Sequence, residues 1–89
     1  MSFRVVFSSK SCKTIKSFDQ EFKNRIKQAI QALGDDPWEK GTMKVKGHTY
    51  VRRKRVGNYR IIYRIDQERG EILIALVSKR DEETYKFDI

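Results

Sequence analysis

A chain of 89 residues makes one domain, residues 1–89, and leaves no room for two. Its single cysteine, Cys12, excludes an internal disulfide and a multi-cysteine metal site, and no apolar run approaches the ~18 residues of a membrane span. Twenty basic against twelve acidic side chains give a net charge of +8, which points to a polyanion as partner.

The N-terminus has no signal-peptide core, so a cytoplasmic protein is expected. Phe3 to Phe7 alternates Phe3, Val5 and Phe7 against Arg4 and Val6, which predicts a first strand with one apolar face. Ser8 and Ser9 suit the cap of a short helix carrying Cys12 and Ile15. Ser17 with Gln20 matches a capping box for a second, longer helix. Its apolar residues Phe22, Ile26, Ala29, Ile30 and Leu33 recur at three and four and form one stripe. Gly34 suits the left-handed position past its end, and Pro37 forbids continuation. Trp38 is expected to close the helix end, and Cys12 to fill a small core position.

From Trp38 to Gly47 there is no clean period, which reads as a loop or a weak strand. Thr49 to Val56 reads as a strand between Gly47 and Gly57. Val56-Gly57-Asn58 is a turn. Tyr59 to Asp66 is the clearest strand, with Tyr59, Ile61, Tyr63 and Ile65 on one face and Arg60, Ile62 and Arg64 on the other. After a turn over Asp66 to Gly70, Ile72 to Val77 is apolar throughout, as expected of a strand buried on both faces. Lys79 to Ile89 reads as a polar tail anchored by Tyr85 and Phe87. The order β-α-α-β-β-β predicts an α+β fold, with two N-terminal helices packed on one face of a mainly antiparallel four-stranded sheet.

The charge is concentrated. Lys40 to Ile65 holds nine cations and no Asp or Glu, whereas the rest of the chain holds eleven basic against twelve acidic residues. Tyr50, Tyr59 and Tyr63 interleave with them. Such a stretch suits a nucleic acid, with Lys44, Lys46, Arg52, Lys54, Arg55 and Arg64 as contacts. Other chemistries lack their residues. His48 is the only histidine and reads as a solvated loop residue. There is no phosphate-binding glycine loop, no zinc spacing and no nucleophile elbow, so no metal and no cofactor is expected. Arg, Lys and Tyr suffice for one reaction, RNA cleavage by the substrate's own 2′-hydroxyl, where the protein aligns the nucleophile, steadies the phosphorane and moves protons.

The run Val56-Gly57-Asn58-Tyr59-Arg60-Ile61-Ile62-Tyr63, followed by an apolar strand and then Lys79-Arg80 and Tyr85, resembles the RelE/ParE toxin superfamily. The early Val5-Val6-Phe7-Ser8-Ser9-Lys10 and the helix closing on Leu33 before Asp36-Pro37 are similar too. The resemblance implies a small toxin of a type II toxin–antitoxin pair. In the RelE branch such a toxin is an endoribonuclease that cuts mRNA on the ribosome and inhibits translation; in the ParE branch it inhibits DNA gyrase. A noncatalytic RNA-binding homologue is a further alternative. The resemblance implies catalytic roles for Arg60, Arg80, Tyr85 and Arg53, and an antitoxin partner with an acidic, partly disordered segment. Arg80 stands beside Asp81, Glu82 and Glu83, and a surface ion pair is the competing reading there. A second RelE lysine falls on Val51, and positions that are usually apolar are Arg52 and Lys54. Such a strand is either bulged or divides its cations between two faces, and Lys54 or Lys46 would then stand in for the missing lysine.

Overall fold

The computed structural model describes residues 2–79. Along the chain run β1 (Arg4–Phe7), α1 (Ser9–Lys16), α2 (Gln20–Asp35), β2 (Thr42–Lys44), β3 (Val51–Val56), β4 (Tyr59–Asp66) and β5 (Glu71–Lys79). The strands form one sheet in the order β1-β5-β4-β3-β2. β1 runs parallel to β5, and the other neighbours are antiparallel. The α+β class and the helix layer match the expectation. The sheet gains a fifth member because Thr42–Lys44, three residues without apolar alternation, pairs with β3 as an edge. Neither helix of the described residues is long and apolar enough to cross a membrane.

The α2 stripe lands where its spacing predicts. Ile26, Ile30 and Leu33 are buried against Ile61, Tyr63, Ile65, Ile72 and Ile74 of the sheet, with Ile15 of α1 beside them. Two end signals act differently from expectation. Asp19 caps α2, its carboxylate accepting from the Phe22 N–H at 2.8 Å, while Ser17 closes α1. Gln20 is the first helical residue and bonds Asn24. Gly34 lies inside the last turn. Its N-terminal neighbour in space is β1: the Phe3 N–H reaches the Gly34 carbonyl at 2.6 Å, and a Cβ at 34 would stand 3.4 Å from Val5 Cγ2. A Cβ at 34 would make ordinary contacts, so packing does not by itself demand glycine there. The helix stops because Pro37 drives Asp36 to extended backbone.

Phe3 and Val5 pack against the core, but Phe7, at the end of β1 where the chain turns into α1, is exposed. Trp38 covers Phe3 edge-on at 5.7 Å and stays 44% exposed. Cys12 is half-buried rather than part of the core.

β5 does not alternate because its register with β4 jumps. Ile62 pairs with Leu76 and Tyr63 with Ile74, leaving Ala75 as an extra residue. Ile72, Ile74 and Val77 therefore all face the helices, while Leu76 joins Val45, Val51 and Ile62 in a small cluster on the opposite face. Where β1 ends, the start of α1 takes up carbonyls of β5. Ser8 Oγ donates to the Ala75 carbonyl at 2.8 Å and Ser11 Oγ to that of Ile74 at 2.9 Å. Ser8 also caps α1, its hydroxyl accepting from the Ser11 N–H.

Tyr63 is fully buried and donates to the Pro37 carbonyl at 2.5 Å, tying β4 to the end of α2. Burial raises the phenol above its ordinary value of 10.0, against the opposing pull of Thr42 and Arg52. A raised folded-state value means that the phenol's contribution is complete below pH 10.0 and is lost as the pH climbs past it. Tyr63→Phe should lower stability at neutral pH by about 1–3 kcal/mol, since the buried Pro37 carbonyl loses its donor. In denaturant melts the gap between wild type and variant should narrow under alkaline conditions.

Candidate nucleic-acid interface

The cationic segment folds as a hairpin. Gly57 takes φ +58, no other residue of the turn has positive φ, and Val56 pairs with Tyr59 across the two-residue link. This is the pattern of a type II′ turn, whose twist suits the flanking strands. Gly57 also lies against α2, where a Cβ would stand 3.4 Å from the Phe22 ring.

From Val51–Arg64 to Val56–Tyr59 the β3–β4 pairing runs without interruption. β3 is thus not bulged, and alternation divides its cations between the two faces. Arg52 and Lys54 project to the helix side. Arg52 donates to the Thr42 hydroxyl at 2.9 Å and the Thr42 carbonyl at 3.2 Å, and Lys54 forms an ion pair with Glu39. Both members of that pair are largely shielded from solvent. Arg53 and Arg55 project to the open face, opposite Ile62 and Arg60.

On that face Arg53, Arg55 and Arg60 line a cleft of about 260 Å³ with Gly41 and Met43. Among the described residues no carboxylate lines it. Arg53 Nη2 contacts Met43 Sδ at 3.6 Å. An adjoining depression, sharing Met43 and Arg53, is lined by Lys44, Val45 and Lys46, so the positive trough continues toward the sheet edge. Arg64 is on the same face but opposite Val51, four residues from Arg60 along β4, or about 13 Å at the rise of a strand. It lines a separate depression with Tyr50, Asp66 and Glu68.

The structure thus brings together Arg53, Arg55 and Arg60, with Lys44 and Lys46 beside them. It sets Arg64 apart and turns Arg52 and Lys54 away. Arg80 and Tyr85 lie outside the described residues. Sequence reasoning missed Met43 and Gly41 as walls and Glu39 as the anchor of Lys54; the two-residue turn, mirrored through the β4 alternation, is the signal that sorts the β3 cations. Among the described residues no group of three or more His, Cys, Asp or Glu is placed to hold a metal.

The position of Lys54 gives a test. Lys54→Met should cost about 1–2 kcal/mol of stability, between the surface and buried limits for an ion pair, because Glu39 loses its partner. The variant leaves the charge of the open face as it is, because Lys54 lies on the helix side.

Comparison with known proteins agrees with this architecture. The family model described as ParE toxin of type II toxin–antitoxin system, parDE, matches residues 8–84. No curated protein sequence matches the chain. Among solved structures, the toxin of the RelE–RelB complex of Pyrococcus horikoshii superposes with a TM-score of 0.79 at 23% identity, over 92% of this chain and 99% of that one. A chain of the RelBE2 complex of Mycobacterium tuberculosis gives 0.75 at 22% identity, over 90% and 100%. Isolated RelE of E. coli gives 0.80 at 13% identity, over 93% and 89%. At these identities the structures establish the fold, and the family model covers most of the sequence. The chain belongs to the ParE toxin family of type II toxin–antitoxin systems, within the RelE/ParE superfamily.

Proposed function

We propose that this toxin is a ribosome-dependent endoribonuclease of the RelE type that cuts mRNA in the cytoplasm and so inhibits translation. The observation that carries the reading is the cleft in which Arg53, Arg55 and Arg60 meet. A pentacoordinate phosphorane carries more negative charge than the diester it forms from. Fixed guanidinium groups aimed at that charge lower the barrier. The nucleophile is the 2′-hydroxyl of the substrate. Its oxygen bonds to phosphorus, the bond from phosphorus to the 5′-oxygen breaks, and the leaving oxygen takes up a proton. The products are a 2′,3′-cyclic phosphate and a 5′-hydroxyl, without a metal or other cofactor.

In this reading Arg60 and Arg53 steady the phosphorane, joined by Arg80. Tyr85 and a lysine move the protons. Lys46 is the lysine we assign, since it lines the trough while Lys54 is held by Glu39 on the other face. An arginine at 53 stays protonated and serves as a charge rather than as a base. The P. horikoshii and E. coli RelE toxins have been solved in complex with RelB antitoxins. By analogy, the partner of this chain is an antitoxin whose acidic, partly disordered segment orders on the cationic face.

The family model favours a second reading, inhibition of DNA gyrase in the manner of ParE. Controlled expression separates the two: a nuclease stops protein synthesis first and leaves DNA supercoiling unchanged. Arg60→Ala should fold normally and cut mRNA on translating ribosomes about 10²–10³-fold more slowly, the loss typical of one oxyanion-stabilising donor. Wild-type rates in that variant would remove Arg60 from the mechanism.

A further inference from the structure

The edge strand β2 carries a side chain that the binding of anions does not explain. Sheet edges are kept from sticking to other chains by charged residues, and Lys44 fits that rule. Met43 does not: it is 58% exposed. It is paired with Arg53, so its side chain lies on the open face. There it lines both the arginine cleft and the adjoining depression, and so stands between them. Arg53 Nη2 meets its sulfur at 3.6 Å and holds the thioether beside the guanidinium. The depression on the far side, about 590 Å³, has nearly buried Val45 in its wall. A phosphate gains nothing from a thioether or a valine. A flat aromatic ring gains from both, since sulfur makes favourable contacts with π-systems. The backbone at the rim supplies the polar complement. The Val45 N–H donates to the Val51 carbonyl at 2.9 Å, so strand alternation turns the N–H and C=O of Lys44 away from β3, to the outer edge.

We propose that the depression beside Met43 is a nucleobase subsite, in which one base of a single-stranded polynucleotide lies against the Met43 thioether with its edge toward the Lys44 backbone. Unstacked bases of single strands are held in this way, by a soft apolar surface for the face and donors and acceptors for the edge. The inference rests on the nucleic-acid reading of the neighbouring cleft and deepens it: the arginines meet the charged backbone, and the slot takes an uncharged ring. Met43 is a substrate-binding residue here and moves no proton.

A base contact and a backbone contact respond differently to removal of the base, which gives the test. The full chain is titrated calorimetrically with oligothymidylate, which lacks the 2′-hydroxyl and is bound without being cut, and with an abasic strand of the same length. The variants are Met43→Ala, Met43→Leu and, as a control for loss of an exposed apolar side chain on the opposite edge strand, Val6→Ala. Met43→Ala should bind oligothymidylate about tenfold more weakly, near the lower end for one stacked base, and the abasic strand as wild type does. Its dependence of affinity on salt should keep the wild-type slope, since no phosphate contact is lost. Met43→Leu, which keeps the apolar surface, should recover most of the loss. Wild-type affinity of Met43→Ala for oligothymidylate, an equal loss on the abasic strand, a shallower salt slope or an equal loss in Val6→Ala would each overturn the proposal. A glutamate-rich peptide carrying one leucine is the last probe. If Met43→Ala weakens that peptide more than oligothymidylate, the slot belongs to a protein partner and the proposal falls. If the base-dependent loss is found and the wild type leaves mRNA on translating ribosomes intact, the base subsite stands and the nuclease reading falls.

Discussion

The unbroken register between β3 and β4 is the constraint on which the candidate site depends. Four consecutive cations, Arg52 to Arg55, enter a strand whose side chains alternate. Pairing with Tyr59–Arg64 sends two of them to each face. A slip of one residue would exchange the sets, putting Arg53 and Arg55 against the helix layer and Arg52 and Lys54 in the open. The turn at Gly57-Asn58 prevents the slip from one end, and buried Val51 and Ile62 oppose it from the other face. The cations on the helix side are not stray charges. Glu39 and Thr42, from the segment after α2, receive them, so that segment both ends a helix and compensates a strand.

The helix layer is fastened by a second irregularity, the extra residue in β5. A regular strand would have turned Val77 away from the helices. The bulge returns it to the core, and beside it two serine hydroxyls at the start of α1 take up β5 carbonyls. The interaction is local in space but joins the beginning of the chain to its last described strand. It places both helices on one side of the sheet, and the open side buries only the Val45, Val51, Ile62 and Leu76 cluster among the described residues.

Much of this was legible in the residues. The alternation of Tyr59 to Asp66 marks β4 to its observed limits, and the Phe22 to Leu33 stripe marks the buried face of α2, because each pattern expresses one period and one neighbour. The misreadings fall where a residue answers to something distant. Ser17 and Gln20 have the spacing of a capping box, yet Asp19 is nearer the true start and Ser17 is occupied with α1. Gly34 has the chemistry of a helix end, yet it lies inside the last turn, with its carbonyl taken by the Phe3 N–H. β2 exists because β3 lends it hydrogen bonds. For the candidate site, the concentration of charge marked the hairpin that carries the cleft, and the resemblance singled out Arg60 and Arg53. Which other cations join them was a question of parity, and no single position reveals parity until the partner strand and its turn are known.

The parallel pairing of β1 with β5 has a bearing on biosynthesis. Arg4 and Glu71, 67 positions apart, form an ion pair across it. The cationic hairpin is made of neighbours and can zip early, but the sheet behind it stays open on one side until β5 has left the ribosome. A nascent chain therefore acquires a rigid, fully backed cationic face only after its last described strand has been made.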